Sequence, residues 1–243
     1  MKKLFFLIIF IPVVFLGQAQ NEKNLVFDAN AQARSVKDFH SIEVSGAIDL
    51  FLSQGSEEAA AVSASSNEIV GRIKTEVRNG VLHIYFDSKG WNWKMWNNNK
   101  IKAYITFKEL RKVEASGACN VKTVELLKSD DLKIELSGAS DFTGNLAVGK
   151  LTIGASGASN VKISGSADRT SIDLSGACEL KGYGLKTDYC KIGASGASTV
   201  RITVNKELSA SASGASSVYY KGAGLLKDIS AGRGASVKRK TDD

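Results

Sequence analysis

Apolar and polar residues alternate along short runs, and the runs recur. In one unit Leu151, Ile153 and Ala155 alternate with polar or small neighbours. A hinge of small residues, Ser156-Gly157-Ala158, follows, and the alternation resumes at Val161 and Ile163. The same plan appears at Leu132-Ile134-Leu136, Ile172-Leu174, Cys190-Ile192 and Leu208-Ala210. A period of two over four to six residues predicts strands with one buried face. No long 3.6-residue period competes with it; the approach to Leu126 carries only a weak one.

The hinges define a larger repeat. Ser-Gly-Ala occurs at Ser45, Ser116, Ser137, Ser156, Ser175, Ser195 and Ser213, with a degenerate copy at Arg233-Gly234-Ala235. From Gly117 onward the central glycines lie 21, 19, 19, 20, 18 and 20 residues apart. Strands this short cannot bury a face alone, but stacked on copies of themselves they can. At about 3.3 Å per residue, one unit makes a closed coil of roughly 66 Å. The predicted architecture is all-β: a right-handed β-helix-like stack of ~20-residue coils. A propeller needs alternate units in different strand positions, which the likeness of neighbouring units disfavours. Glycine suits a corner with positive φ, alanine keeps it narrow, and serine can bond local backbone. Gly144, Gly165, Gly182 and Gly222 mark a second corner.

One interval breaks the period. Gly46 and Gly117 lie 71 residues apart. Strands are expected at Ile48–Leu52, Ala59–Ala64, Ile69–Val77, Val81–Phe86, Ile101–Phe107 and Leu110–Ala115. Asn79-Gly80 reads as a type I′ hairpin turn. An antiparallel β insertion over 48–110 is therefore expected beside the first coils, capping the apolar column, before the repeat array of 111–237. Inside it, residues 88–100 contain all three tryptophans. Alternation at Trp91, Trp93 and Met95 fits a core strand. It also fits an exposed aromatic tip that stacks on sugar rings, or a self-association surface. Trp91, Trp93 and Trp96 are the candidate partner-binding residues.

The chain opens Met1-Lys2-Lys3, runs apolar from Leu4 to Leu16, and continues Gly17-Gln18-Ala19. That predicts a signal peptide over 1–19 and export to the periplasm or cell surface, since the apolar run is short for a membrane span. The formal charge of +7 falls to about +5 without Lys2 and Lys3. It is scattered over strand positions, which argues against nucleic-acid binding and leaves weak attraction to anionic glycans or lipids. Only the tail, 238–243, is clustered: Lys238-Arg239-Lys240 would terminate the stack with charge. Cys119, Cys178 and Cys190 are expected to be free, packed thiols. The first two share a repeat position but would stand about 14 Å apart. No pair of ligands has zinc spacing, and no metal or cofactor is expected.

Catalysis has no evident machinery. His40 and His83 fall on outward strand positions. Asn120, Asp141, Asn160, Glu179, Thr199 and Ser217, each three residues after a hinge glycine, would align as a solvated polar ladder. Asp141 and Glu179 are then about 10 Å apart, wide for a glycosidase pair. The repeated serines lack a neighbouring histidine. Lys181-Gly182-Tyr183-Gly184 lacks the strand–helix context of a phosphate loop.

Phe39-His-Ser-Ile-Glu-Val-Ser-Gly-Ala-Ile-Asp-Leu-Phe-Leu-Ser-Gln-Gly55, Asn79-Gly80-Val-Leu-His-Ile and Ile101–Ala118, with the Ser-Gly-Ala units, resemble the family of putative autotransporter adhesins with a head GIN domain. The resemblance covers 35–237. It implies a secreted or periplasmic β-helix-like protein without established catalytic residues. The expected function is that of a non-catalytic exported envelope or surface protein, an adhesin or glycan- or protein-binding module. Its partner would be a surface glycan or envelope protein. The alternative is a structural protein that self-associates as a homo-oligomer. A polysaccharide-modifying enzyme is the least favoured reading, and neither a nucleic-acid partner nor an integral membrane span is expected.

Overall fold

The computed structural model describes residue 28 and residues 30–91 and 100–241. The leader 1–19, Trp93, Trp96 and the last two aspartates lie outside the described residues. In chain order the elements are β1 (Gln32–Arg34), β2 (Ser41–Gly46), β3 (Ile48–Gln54), β4 (Ala59–Ser63), α1 (Asn67–Arg72), β5 (Ile73–Arg78), β6 (Val81–Phe86), β7 (Ile101–Phe107) and β8 (Lys112–Gly117). The coils follow: β9 (Asn120–Leu136), β10 (Asp141–Ala155), β11 (Asn160–Leu174), β12 (Glu179–Ala194) and β13 (Thr199–Ala212). The chain closes with β14 (Ser217–Lys221), β15 (Leu225–Ala231) and β16 (Ser236–Arg239).

Strands β9 to β13 each run most of the way around one coil and pair in parallel, each with the next. The result is a β-solenoid of about seven turns of roughly 19 residues, as the repeat predicts. Equivalent repeat positions fall in register. Ile134, Ile153, Ile172 and Ile192 form one inward column, and Leu132, Leu151, Thr170, Cys190 and Leu208 another. All nine are buried. Burying each aliphatic side chain stabilises by about 1.5–3 kcal/mol, so the stack is held by rows of like residues shielding one another.

The Ser-Gly-Ala units are the corners between coils. From Ala118 to Ala215 the alanine N–H donates to the glycine carbonyl one coil below: Ala139 to Gly117 at 2.7 Å and Ala158 to Gly138 at 2.8 Å. Gly138 has φ +76°, and a Cβ there would sit 2.5 Å from the Gly117 carbonyl oxygen. From Gly117 to Gly214 each corner glycine therefore needs both the left-handed conformation and the missing side chain, because its neighbour's backbone fills that space. The second set of glycines divides. Gly165 and Gly222 have positive φ. Gly144 and Gly182 lie instead at strand positions, in register with Ile163 and Ile202, and make room for Phe142 and Leu180.

From Cys119 to Ser216 the residue after the corner alanine is buried, which the sequence predicts for the two cysteines of this row but not for its serines. Ser140 and Ser159 are fully buried and donate to the carbonyls of Ser137 and Ser156 at 3.0 and 2.9 Å. Cys119 and Cys178 occupy the same row and direct their thiols at the carbonyls of Ser116 and Ser175, 3.3 and 3.2 Å away. Here cysteine replaces serine as a slightly larger buried donor. Burial pushes the Cys119 thiol pKa up and that of Cys190 up to about 12. All three cysteines are free and buried. None should label with a thiol reagent in the native protein, and all three should label in urea. Cys119→Ser and Cys178→Ser should each move the unfolding free energy by less than about 1 kcal/mol. Thiol titration and denaturant melts check both; rapid native-state labelling would contradict this packing.

The long interval rebuilds the N-terminal end out of chain order. The rung β2–β3 lies against β8 and β9 on one side and against β6 and β7 on the other, all in parallel. Thus β6 and β7 form a coil of their own beneath the first Ser-Gly-Ala corner. Antiparallel pairing, expected across 48–110, is confined to β5 on β6 and β4 on β7, with β1 on β4. Asn79 and Gly80 both have positive φ, as the turn assignment requires. One expectation fails: residues 69–72, read as the start of a strand, belong to α1. Ser66 caps it by accepting from the Ile69 N–H, Glu68 lies in its first turn and Arg72 in its last. Ile69 and Val70 are buried. The cue was Ser-Asn-Glu before an apolar pair, which is a helix start rather than a strand. Asp28 clasps this end by accepting from the Ser63 and Tyr104 hydroxyls at 2.7 and 3.0 Å.

Candidate functional site

On the wall that follows each corner, outward residues align into two parallel rows. The first contains Asp49, Asn120, Asp141, Asn160, Glu179, Thr199 and Ser217, in register. It is the polar ladder expected from the sequence. Amides separate the first three acids: the Asn120 and Asn160 side chains donate to Asp49 and Asp141, each at 2.8 Å. Interleaving of this kind removes the repulsion of like charges placed directly opposite. Two residues further on runs the second row: Tyr104, Phe51, Lys122, Thr143, Lys162, Lys181, Arg201, Tyr219 and Lys238. It is cationic and aromatic. Phe51 and Tyr104 stack with centroids 5.2 Å apart.

Like charges directly opposite on neighbouring rungs repel, so compensation matters here. Glu179 supplies part of it, lying 3.1 Å from Lys181 and forming a very short ion pair with Arg201. Lys181 first, then Arg201, hold the Glu179 carboxyl below the usual carboxylate range against the opposing effect of burial. Among the described residues, Lys122 and Lys162 have no acidic partner within ion-pair distance and are exposed. The row therefore carries surplus positive charge.

A bulge turns this row into a site. Lys162 pairs with Lys181 and Ser164 with Gly184, so β12 carries one residue more than β11 between them. That interval contains Tyr183, between two glycines. Bulges re-aim side chains in this way. Lys221 lies 5.3 Å from the Tyr183 ring centroid, a cation–π distance. A groove of about 710 Å³ opens here, lined by Thr123, Thr143, Gly144, Asn145, Lys162, Ile163, Ser164, Glu179, Lys181, Tyr183, Gly184 and Arg201. Leu126, 39% exposed, pairs with Asn145 at its N-terminal side, and Val124 is 43% exposed nearby in the same strand. The groove thus has an apolar lip, a floor of small residues and a basic, aromatic flank. Its volume is in the range of small-ligand sites. Sequence reading weighed Lys181-Gly182-Tyr183-Gly184 only as a phosphate loop. The usable signal was the 20-residue interval from Gly176 to Gly196, after two of 19.

Of the three tryptophans, the described residues include Trp91. It packs against the core edge-on to Phe86 at 5.5 Å, with the Arg72 guanidinium 5.0 Å from its ring. Ser45 pairs with Tyr85 and Ile48 with Ile101, so Trp91 follows β6 at the level of the first Ser-Gly-Ala corner. There it is fastened to α1 through Arg72.

The histidines are apart from the groove. His83 Nδ1 is 3.1 Å from Glu43, and His40 Nδ1 is 3.0 Å from the Ser41 hydroxyl. Among the described residues no group of three or more His, Cys, Asp or Glu could hold a metal ion. No helix among them is long and apolar enough to cross a membrane.

A single-chain parallel β-solenoid, capped at one end and grooved on one wall, is the class these observations define. Residues 38–224 match the model of the family described as putative auto-transporter adhesin, head GIN domain, and the chain belongs to that family. The same fold occurs in solved structures of low sequence identity. A putative adhesin from Bacteroides fragilis NCTC 9343 shares 21% identity at a TM-score of 0.78, covering 86% of this chain and 96% of that one. A putative adhesin from Parabacteroides distasonis ATCC 8503 shares 18% at 0.68, with coverage of 86% and 96%. A putative lipid binding protein from the same strain shares 18% at 0.61, with coverage of 88% and 98%. No curated protein matches the chain.

Proposed function

We propose that the protein is a non-catalytic, exported attachment module that binds anionic polysaccharide along its cationic wall. The observation that carries this reading is the Tyr183 bulge. It sets an aromatic ring beside Lys162, Lys181 and Arg201 over a groove, on a row whose positive charges exceed their acidic partners. Rungs about 4.8 Å apart present cations at regular intervals, which suits a chain ligand with repeating anionic groups. The aromatic ring gives a sugar face something to stack on. The basic, apolar leader of residues 1–19 supports export, and the family supports attachment. Trp91, Trp93 and Trp96, in the sequence between β6 and β7, are a second set of contact residues in this proposal.

Binding to dextran sulfate and to neutral dextran, measured by interferometry, tests the groove. The sulfated polymer should bind and the neutral one should not. Lys162→Ala/Lys181→Ala/Arg201→Ala should weaken binding at least tenfold, and affinity should fall steeply between low and physiological salt. Substitution of the three tryptophans by alanine separates their contribution from that of the groove. Equal binding of both polymers, or an unchanged triple-cation variant, would sink the groove as the site. Stronger binding to anionic lipid vesicles than to sulfated polymer would instead favour a lipid surface and overturn the polysaccharide reading.

A further inference from the structure

The two ends of the solenoid are finished differently. At the N-terminal end α1 and the antiparallel strands β1, β4 and β5 cover the column. At the C-terminal end β16 covers β14, while β15 pairs with β13 alone among the described strands. Every residue of β15 is exposed. Leu226 and Ile229 are in register with the buried Leu208 and Ala210, so they point along the column interior, yet they are 50% and 40% exposed. Leu225 beside them is 76% exposed. This is an apolar end face with a free strand edge, which sheet proteins normally cover or blunt.

We infer that a second copy of this chain covers that face, with β15 antiparallel to β15 across a twofold axis centred between Lys227 and Asp228. Three features of the strand are complementary to themselves about that axis. Lys227 of each copy falls opposite Asp228 of the other, giving two cross-strand ion pairs. Leu226 falls opposite Ile229, joining the two apolar columns end to end. The third feature makes the first two compatible. Residues three apart on a regular strand point to opposite faces, but Lys227 and Asp228 together oppose the single Ser209, so a bulge brings Leu226 and Ile229 to the same face. A bulged edge deters an ordinary strand, whereas a second copy brings the matching bulge. Lys227 now lies 3.3 Å from Glu207 with its side chain 61% exposed, so it can turn to the partner without leaving a buried charge behind. This inference is independent of the polysaccharide groove, which lies on another part of the surface.

Sedimentation velocity of the purified protein should show a concentration-dependent monomer–dimer equilibrium. Lys227→Asp places acids opposite acids and should give monomer at every concentration tested. Asp228→Lys places bases opposite bases and should do the same. An equimolar mixture of the two variants should dimerise, because each then faces its complement. Leu226→Lys should abolish both the homodimer and this rescue. Circular dichroism confirms the fold of each variant, since all three positions are exposed. A wild-type protein that stays monomeric up to hundreds of micromolar would overturn the proposal. So would a dimer indifferent to the three substitutions, or a mixture that fails to recover association. Strong protection, in dilute monomer, of the β15 amides that point away from β13 would mean that another segment of the same chain occupies the edge, and would equally overturn it.

Discussion

Gly138→Val is expected to cost on the order of 4 kcal/mol or more and to leave little folded protein at 37 °C. Position 138 has φ +76°, where a β-branched residue is disfavoured by roughly 1–2 kcal/mol before any contact is considered. A Cβ there would also sit 2.5 Å from the Gly117 carbonyl oxygen. That oxygen cannot give way cheaply, because it accepts the Ala139 N–H at 2.7 Å and belongs to the next corner. The strain propagates along a ladder of identical corners instead of being absorbed by one flexible side chain. Gly71→Ala is the matched control. Gly71 lies in α1, and nothing stands within 4 Å of the Cβ it would gain. The control should raise stability by about 0.5–1 kcal/mol, because alanine is the better helix former. Urea melts of the two variants should therefore move in opposite directions. Equal small losses at both sites would show that the corner stacking is not what holds the coils in register.

Phe142→Ala is the second large effect, at about 3–5 kcal/mol. Phe142 is among the largest fully buried side chains. It fits because position 144, two residues on along the same inward face, is glycine: a Cβ there would meet Phe142 Cε1 at 2.9 Å. The two positions share one volume, split as a large and a small residue. Gly144→Val alone should cost roughly 1–3 kcal/mol by overpacking. In the Phe142→Ala background the same change should be stabilising, because it refills the cavity. The double-mutant cycle should give a coupling of at least about 1 kcal/mol. Additive losses would contradict a shared volume.

Most of the solenoid was legible because its signals are local and repeated. Alternation at Leu151–Ile163 gives the strand faces, and glycine spacing gives the coil length. Stacking puts equal positions in register without further information. The N-terminal end was less legible for a physical reason. Pairing β6–β7 beneath β2–β3 reverses chain order, and nothing in Val81–Phe86 or Ile101–Phe107 states which neighbour each strand will take. Residues 69–72 were misread because Ile69 and Val70 are apolar in either conformation, and only the Ser66 cap distinguishes helix from strand. The groove was hidden differently. A single inserted residue, Tyr183, changes the period by one and looks like ordinary drift until register shows which coil carries it. The buried Ser140 and Ser159 row was masked by composition, since serine is also what a solvated corner would contain.

Lysine footprinting with an amine acylating reagent, read by peptide mass spectrometry with and without dextran sulfate, tests the central claim most directly. The account expects Lys162, Lys181 and Lys221 to lose reactivity when the polymer is added, because they flank the Tyr183 groove. Lys150, on a different row, should keep most of its reactivity. Protection spread evenly over all lysines, or concentrated at Lys89 and Lys100 with the groove lysines unchanged, would contradict the account.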